Sequence, residues 1–327
     1  MSAQLHESDR ETGCEPDFCG MVGRHAAMLS LYDAVRRAAP LTAPVLIQGE
    51  TGTGKELVAR ALHALSGRPG RFVAVNVATL PEALADAELF GVVKGAYTGA
   101  TAHRRGLIEY ARHGTLLLDE AGDIPLALQA KLLRALETNA VRPVGGGTDR
   151  VVPFRLVVSV QVSPSDLLAA ARWRADFHFR VCALHLRVPR LIERDSDIPR
   201  LVRHFLGPER LSIVLNQDLR ALGAHMWPGN VRELRQAVER AVFEHGTDPL
   251  AAEHILAAAA EHQTPHDTPA PIPLGPPTLR EIRAQHIAAV LARAEYDVGA
   301  AARLLGISTS QLYRRLKTLG LKPQRRR

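Results

Sequence analysis

Residues 44–62 read PVLIQGETGTGKELVARAL, and the fold is decided here. Val45, Leu46 and Ile47 form a short apolar run, as a parallel strand buried on both faces requires. Gly49-Glu50-Thr51-Gly52-Thr53-Gly54-Lys55 follows and fits G-x-x-x-x-G-K. Leu57, Val58, Ala61 and Leu62 then share one helical face. Strand, glycine-rich turn and helix is the setting of a phosphate-binding loop. Its glycines let backbone N–H groups converge on an anion. The helix N-terminus adds partial positive charge, and Lys55 adds a full one for the β- and γ-phosphates of ATP. The plainer reading is a solvated lysine on an ordinary turn, and the change of period across the motif argues against it. Glu56 stands where a Ser or Thr hydroxyl commonly meets Mg²⁺, which leaves the metal to Asp119 or to water.

The chain has 327 residues, enough for one large and one small domain. The first residues, MSAQLHESDRETGCEPD, are polar and contain no signal-peptide core. No apolar run approaches a membrane span of roughly 18–20 residues. Three cysteines and fourteen histidines without ligand spacing exclude a disulfide framework and a zinc site, and a cytoplasmic location fits. The net charge of +7 is unevenly placed. Residues 280–327 carry 11 Lys+Arg against 3 Asp+Glu, so the whole basic excess lies in the last 48 residues. That asymmetry points to nucleic-acid binding by the C-terminal segment.

Residues 1–20 read as a disordered leader. Met28, Leu31, Tyr32 and Val35 share a helical face ahead of Pro40. Residues 71–76 (RFVAVN) form a second strand with Asn76 at its end, where ligands meet parallel sheets. A helix from Glu82 to Phe90 runs into Gly91-Val92-Val93-Lys94-Gly95-Ala96-Tyr97-Thr98-Gly99-Ala100, whose three glycines break it. An exposed aromatic on such a loop suggests a partner contact, the alternative being a surface turn. Residues 114–120 (GTLLLDE) form an apolar strand ending in two carboxylates, which suits Asp119 as Mg²⁺ ligand and Glu120 as the group that polarises an attacking water. Leu126–Asn139 is an amphipathic helix and Phe154–Val162 another strand. In WRADFHFR (173–180), Arg174 and Arg180 are candidate fingers for a neighbour's γ-phosphate or ordinary surface ion pairs. Asp197 opens a helical region reaching Ala259. Within it WPGNVREL (227–234) is a turn feeding a helix, with Arg232 in the first turn facing a phosphate.

Six prolines between Gln263 and Thr278 mark a semi-rigid linker. Beyond it lie a helix over 279–294, a short helix from Val298 to Leu305, a turn at Gly306-Ile307-Ser308, and a helix from Thr309 to Leu319. The last bears Ser310, Gln311, Arg314, Arg315 and Lys317, which fits a helix-turn-helix with polar groups for base edges and basic ones for phosphates. A small oligomerisation bundle is the alternative, and the charge asymmetry favours double-stranded DNA.

These motifs together resemble the sigma-54-dependent transcriptional activators, bacterial enhancer-binding proteins with an AAA+ ATPase domain and a Fis-type helix-turn-helix. GETGTGKE (49–56) resembles their Walker A, including Glu56. GAYTGA (95–100) resembles their GAFTGA loop, LLLDEAGDIP (116–125) their Walker B, WRADFHFR their arginine-finger segment and WPGNVREL their sensor II. AAARLLGISTSQLYRRLKTLGL (300–321) is similar to their DNA-reading unit, which adds Ser308, Thr309 and Tyr313 to the DNA-facing set. The resemblance covers residues 21–321. It implies that Gly95, Ala96, Tyr97, Thr98, Gly99 and Ala100 contact sigma-54 RNA polymerase, and that Asn76 holds Glu120 between turnovers. It further implies that Arg174 and Arg180 act across subunits, that Val22 and Gly23 border the adenine, and that the protein forms a hexameric ring. The chain departs from the pattern at Tyr97 (usually Phe), at Val92 and Val93 (usually polar), at Ile192 (usually Arg), and at Ser159-Val160-Gln161-Val162-Ser163, where no polar sensor is assignable.

The expected architecture is α/β: a leader (1–20), an AAA+ P-loop NTPase subdomain (21–190), a helical lid (191–262), a linker (263–278) and a small all-α helix-turn-helix domain (279–327). The expected function is an ATP-dependent activator that binds upstream DNA and remodels sigma-54 polymerase. The alternative is a DNA-binding repressor on a weakly hydrolysing scaffold. Twenty residues ahead of Met21 have no room for a receiver-like domain of about 100 residues. Control is therefore expected from protein concentration, from a separate regulatory protein, or from the leader through Asp9, Arg10 and Glu11. For the DNA-binding segment, Arg314→Ala and Arg315→Ala are each expected to weaken DNA binding and to flatten its salt dependence by about one unit of slope per lost phosphate contact. Gel-shift titrations at several salt concentrations read both quantities.

Overall fold

The computed structural model describes residues 17–96, 102–207, 219–246, 250–260, 287, 290, 294 and 297–319. Leader residues 1–16, Tyr97, Thr98, Gly99 and Ala100 of the glycine-rich loop, the Pro-rich linker and most of the helix expected over 279–294 lie outside them. The chain divides into two compact units, Met1–Gln263 and Thr264–Arg327.

The first unit is built on five strands: β1 (Val45–Gln48), β2 (Phe72–Asn76), β5 (Thr115–Asp119), β8 (Arg155–Val160) and β9 (Leu184–Arg187). Their order is β2-β5-β8-β1-β9 and every pairing is parallel. The apolar runs are continuous because both faces are covered. Side chains alternate across the sheet, so Leu46, Leu116, Leu118, Val158 and Val160 enter one core and Val45, Ile47, Leu117 and Val157 the other. The first core is completed by α3 (Glu82–Phe90), α5 (Leu126–Thr138) and α7 (Ala175–Val181), the second by α1 (Ala26–Ala38) and α2 (Lys55–Leu65). Met28, Leu31, Tyr32 and Val35 are buried on α1, on the face the sequence spacing predicts.

Two hairpins escape sequence reading. β3 (Gly91–Val92) pairs antiparallel with β4 (Arg104–Arg105), and β6 (Ala140–Val141) with β7 (Arg150–Val151). Two-residue strands carry no period to detect. The hairpins touch: Val144 N–H donates to the Gly91 carbonyl at 2.8 Å, and Val93 N–H to the Val144 carbonyl at 3.1 Å. Val92 is therefore a buried strand residue at the root of the glycine-rich loop.

A helical lid follows, with α8 (Ile198–Leu206), α9 (Asn230–His245) and α10 (Ala252–Ala260) around Leu201, Val202, Trp227, Leu234, Val238 and Ile255. In the second unit, α11 (Val298–Leu304) and α12 (Thr309–Leu319) pack through Ala301, Ala302, Leu312 and Leu316. Asp297 caps α11 by accepting from the N–H groups of Gly299 and Ala300. No helix among the described residues is long and apolar enough to cross a membrane.

The leader boundary expected at Gly20 is corrected to before Asp17. Phe18 is buried and stacks on Tyr32 with ring centroids 4.6 Å apart. Asp17 accepts from Arg200 on α8 at 2.6 and 2.5 Å, from Arg24 at 3.0 Å and from Gly23 N–H at 3.0 Å. Burial alone would raise this carboxyl, but these bonds outweigh it and hold it below the usual carboxylate range. A depressed folded-state pKa stabilises the fold above the unfolded value and stops doing so as pH falls through the folded one. Asp17→Asn is expected to cost about 1–3 kcal/mol at neutral pH. The difference from the parent should vanish in acid, and urea-unfolding midpoints measured from neutral pH downward test both points.

Candidate functional site

The loop Gly49–Glu56 leaves β1 and enters α2 along a cavity of about 560 Å³. The α2 helix starts after Gly54, whose φ of 104° an L side chain rarely adopts. Lys55 Nζ donates to the carbonyls of Gly49 and Glu50 at 2.8 and 3.0 Å. Burial lowers the proton affinity of this ammonium, while Asp119 and Glu120 oppose the shift. Thr51, Gly52, Thr53, Gly54, Lys55 and Glu56 reach the cavity wall, whereas Gly49 and Glu50 lie behind it. Glu56 is paired with Arg60 one turn on at 2.6 Å.

Gly52 is the closest point between loop and lid. A Cβ there would lie 2.1 Å from the Gly229 carbonyl oxygen. The Gly52 carbonyl accepts from the N–H groups of Val231 and Arg232 at 3.0 and 3.3 Å. Asn230, fully buried with φ of 52°, ties three segments: its Nδ2 donates to the Thr51 carbonyl and to Glu50 Oε2, and its Oδ1 accepts from Leu191 N–H. Arg232 thereby stands on the cavity wall at the start of α9. Sequence reading missed Asn230, because its role depends on partners about 180 residues away.

The far wall of the cavity is made by Gly20, Met21, Val22 and Met28 from the N-terminal segment and by Leu201, His204 and Phe205 from α8. Val22 is placed where the sequence reading puts it. Gly23 is not on the wall: it lies against Asp197, whose Oδ2 would sit 2.7 Å from an added Cβ. Arg194, buried at the same joint, donates to the Thr53 carbonyl at 3.3 Å.

Asp119 and Glu120 close the cavity opposite the loop. Asn76 Nδ2 donates to Glu120 Oε2 at 3.1 Å, the contact that the resemblance implies. The residues left unassigned in sequence are Ser159 and Gln161. Ser159 Oγ donates to Asp119 Oδ1 and accepts from Glu120 N–H at 3.3 Å, and Gln161 Nε2 donates to Glu120 Oε1 at 3.3 Å. Strand alternation was the available signal: Val157, Ser159 and Gln161 have one parity, Val158 and Val160 the other.

Arg174 and Arg180 are not brought to this cavity. They lie at the two ends of α7, both exposed. Arg174 forks onto Asp176 at 3.0 and 2.8 Å, while Arg180 makes no ion pair among the described residues. The start of α7 is fixed from beneath by buried Gln129, which accepts from Arg174 N–H at 2.8 Å, and by Trp173, which donates to the Ala121 carbonyl at 3.1 Å. Of the glycine-rich loop, Gly95 takes φ of 82° and Ala96 N–H donates to the Val93 carbonyl at 3.2 Å.

In the second unit, Ser308, Thr309, Ser310, Gln311, Tyr313, Arg314 and Arg315 are all exposed, and Lys317 follows on the same helix. Gln311 has a structural task that sequence reading overlooked. Its Oε1 accepts from Ser308 N–H at 3.2 Å while Ser308 Oγ accepts from Gln311 N–H at 3.3 Å, a capping box for α12.

Three families match the chain: the Sigma-54 interaction domain over residues 21–187, the AAA+ ATPase lid domain over 192–271, and the Fis family of bacterial regulatory proteins over 278–319. The chain is 37% identical over 310 residues to the Nif-specific regulatory protein of Azotobacter vinelandii, covering 92% of this chain and 59% of that one. It is 40% identical over 286 residues to the pathogenicity locus probable regulatory protein HrpS of Pseudomonas syringae pv. syringae, covering 85% of this chain and 89% of that one. Its fold matches NtrX from Brucella abortus in complex with ATP, with a TM-score of 0.65, 33% identity, and 92% and 69% of the two chains covered.

Gly52→Ala is expected to push the loop off the lid and to weaken nucleotide binding at least roughly tenfold, since both the left-handed backbone and the contact with Gly229 forbid a Cβ. Titration with a fluorescent ATP analogue measures this, and a circular-dichroism spectrum shows that the sheet is retained.

Proposed function

We propose that this chain, which belongs to the family of sigma-54-dependent transcriptional regulators, is an ATP-hydrolysing activator that remodels sigma-54 RNA polymerase from a site on upstream DNA. The observation that carries the proposal is the Asn76–Glu120 pair on the wall of the cavity that Lys55 enters. A carboxylate aimed by an amide beside a phosphate cradle suits water activation in phosphoryl transfer.

The roles divide by position. Lys55, the loop N–H groups and the start of α2 bind the phosphates of ATP, and Arg232 adds a cation from the lid. Mg²⁺ keeps most of its waters and takes one or two carboxylates plus the nucleotide phosphates, a need that Asp119 meets without the hydroxyl that Glu56 replaces. The metal would offset the charge on the transferring phosphoryl group. Glu120 orients the attacking water. Arg174 and Arg180 face away from their own cavity, so their contribution would be to a second copy, in a ring that is hexameric in this reading. Gly95 to Ala100, including Tyr97 and Thr98, would engage sigma-54, and α12 would enter the DNA major groove. The cell compartment is the cytoplasm, and control by a separate protein is compatible with this arrangement. Ser159 and Gln161 reach both carboxylates, which supports a hydrolysing site over a nucleotide-gated repressor scaffold.

Steady-state ATP hydrolysis with and without sigma-54 holoenzyme tests the proposal. The parent chain should turn ATP over. Glu120→Gln should bind ATP without turnover, and Arg180→Ala should be inactive alone yet regain activity when mixed with Lys55→Ala protein, as a group acting across subunits requires. Full turnover by Glu120→Gln would remove the carboxylate from the mechanism, and failure of every mixture would make α7 an ordinary surface helix.

A further inference from the structure

The carboxylate of Glu120 is held from two sides. Asn76 ends β2 and donates to Oε2, whereas Gln161 follows β8 and donates to Oε1. In the sheet order β2-β5-β8 these strands flank β5, which carries the acidic pair at its end. Two amides from opposite neighbours thus converge on one carboxylate. The backbone is fixed as well: Glu120 has φ of 55°, unusual for a residue with a Cβ, and its N–H is bonded to Ser159 Oγ. The group is over-determined, as a residue that must present one oxygen to a water needs to be.

Gln161 has no evident packing task. It is exposed, it lies beyond the end of β8, and its printed bond goes to Glu120 alone. Val160, by contrast, turns into the opposite core and is fully buried.

We infer that Gln161 is a positioning residue for Glu120, the second arm of a brace whose first arm is Asn76. The inference rests on the reading of Glu120 as the group that orients the attacking water. With one arm gone, the carboxylate pivots about the other and spends less time aimed at the water, so the loss falls on turnover and not on ATP binding.

The test is a double-mutant cycle on the full chain, with kcat and KM for ATP measured for the parent, Asn76→Ala, Gln161→Ala and the double variant. Gln161→Ala is expected to lower kcat roughly three- to tenfold while KM stays within about twofold. The double variant should depart from the product of the two single losses by at least about threefold, because both arms act through one group. The thermal midpoint of Gln161→Ala should equal that of the parent. Losses that multiply independently, a kcat for Gln161→Ala equal to the parent's, or a KM that changes as much as kcat would each overturn the inference while leaving hydrolysis intact. A parent chain that binds ATP without turning it over would overturn the hydrolysis reading, and this inference with it.

Discussion

The buried ammonium of Lys55 is the constraint around which the first unit is arranged. A cation withdrawn from water is costly unless its protons are taken up, and here the carbonyls of Gly49 and Glu50 take them. Those carbonyls are in place because β1 ends at Gln48 and the chain curls back over the helix it starts. The matching negative charge is two strands away on β5, with β8 between. Ser159, on that middle strand, bonds the acidic pair from its own side of the sheet. Cation, carboxylates and the polar residues that steady them therefore collect at one edge because parallel strands all end there.

Much of this was legible in sequence. The central strands declare themselves as apolar runs, and α1 shows its buried face through Met28, Leu31, Tyr32 and Val35. Asp17 and Phe18 do not. They close a polar segment with a single apolar residue, and Asp17 gains its meaning from Arg200, 183 positions later. The same holds for the hairpins at Gly91–Val92 and Ala140–Val141, which are too short for a period and are defined by mutual contact.

The site divides along the same line. Residues fixed by strand ends and by the phosphate loop, such as Lys55, Asn76, Asp119 and Glu120, were placed correctly because local pattern sets their position. Ser159 and Gln161 follow from alternation once the parity of β8 is anchored on buried Val157 and Val160. Gln311 shows the opposite failure. The S-x-x-Q spacing at Ser308 is a local signal for a helix start, but its basic surroundings drew attention to DNA. Asn230 was beyond local reasoning, since the buried amide is satisfied only after the lid has folded over the loop.

The near-contact of Gly52 with the Gly229 carbonyl has a consequence for how such chains exchange parts. Loop and lid are fitted backbone to backbone, with Asn230 stitched through the joint, so no side chain at the crossing can adjust to a foreign partner. A lid transplanted from a relative works only if it brings the turn preceding α9 in the same shape. A loop transplanted alone must keep a residue without a Cβ at position 52. Inheritance across this joint is therefore all or nothing: the two segments, separated by some 180 residues of chain, behave as one cassette.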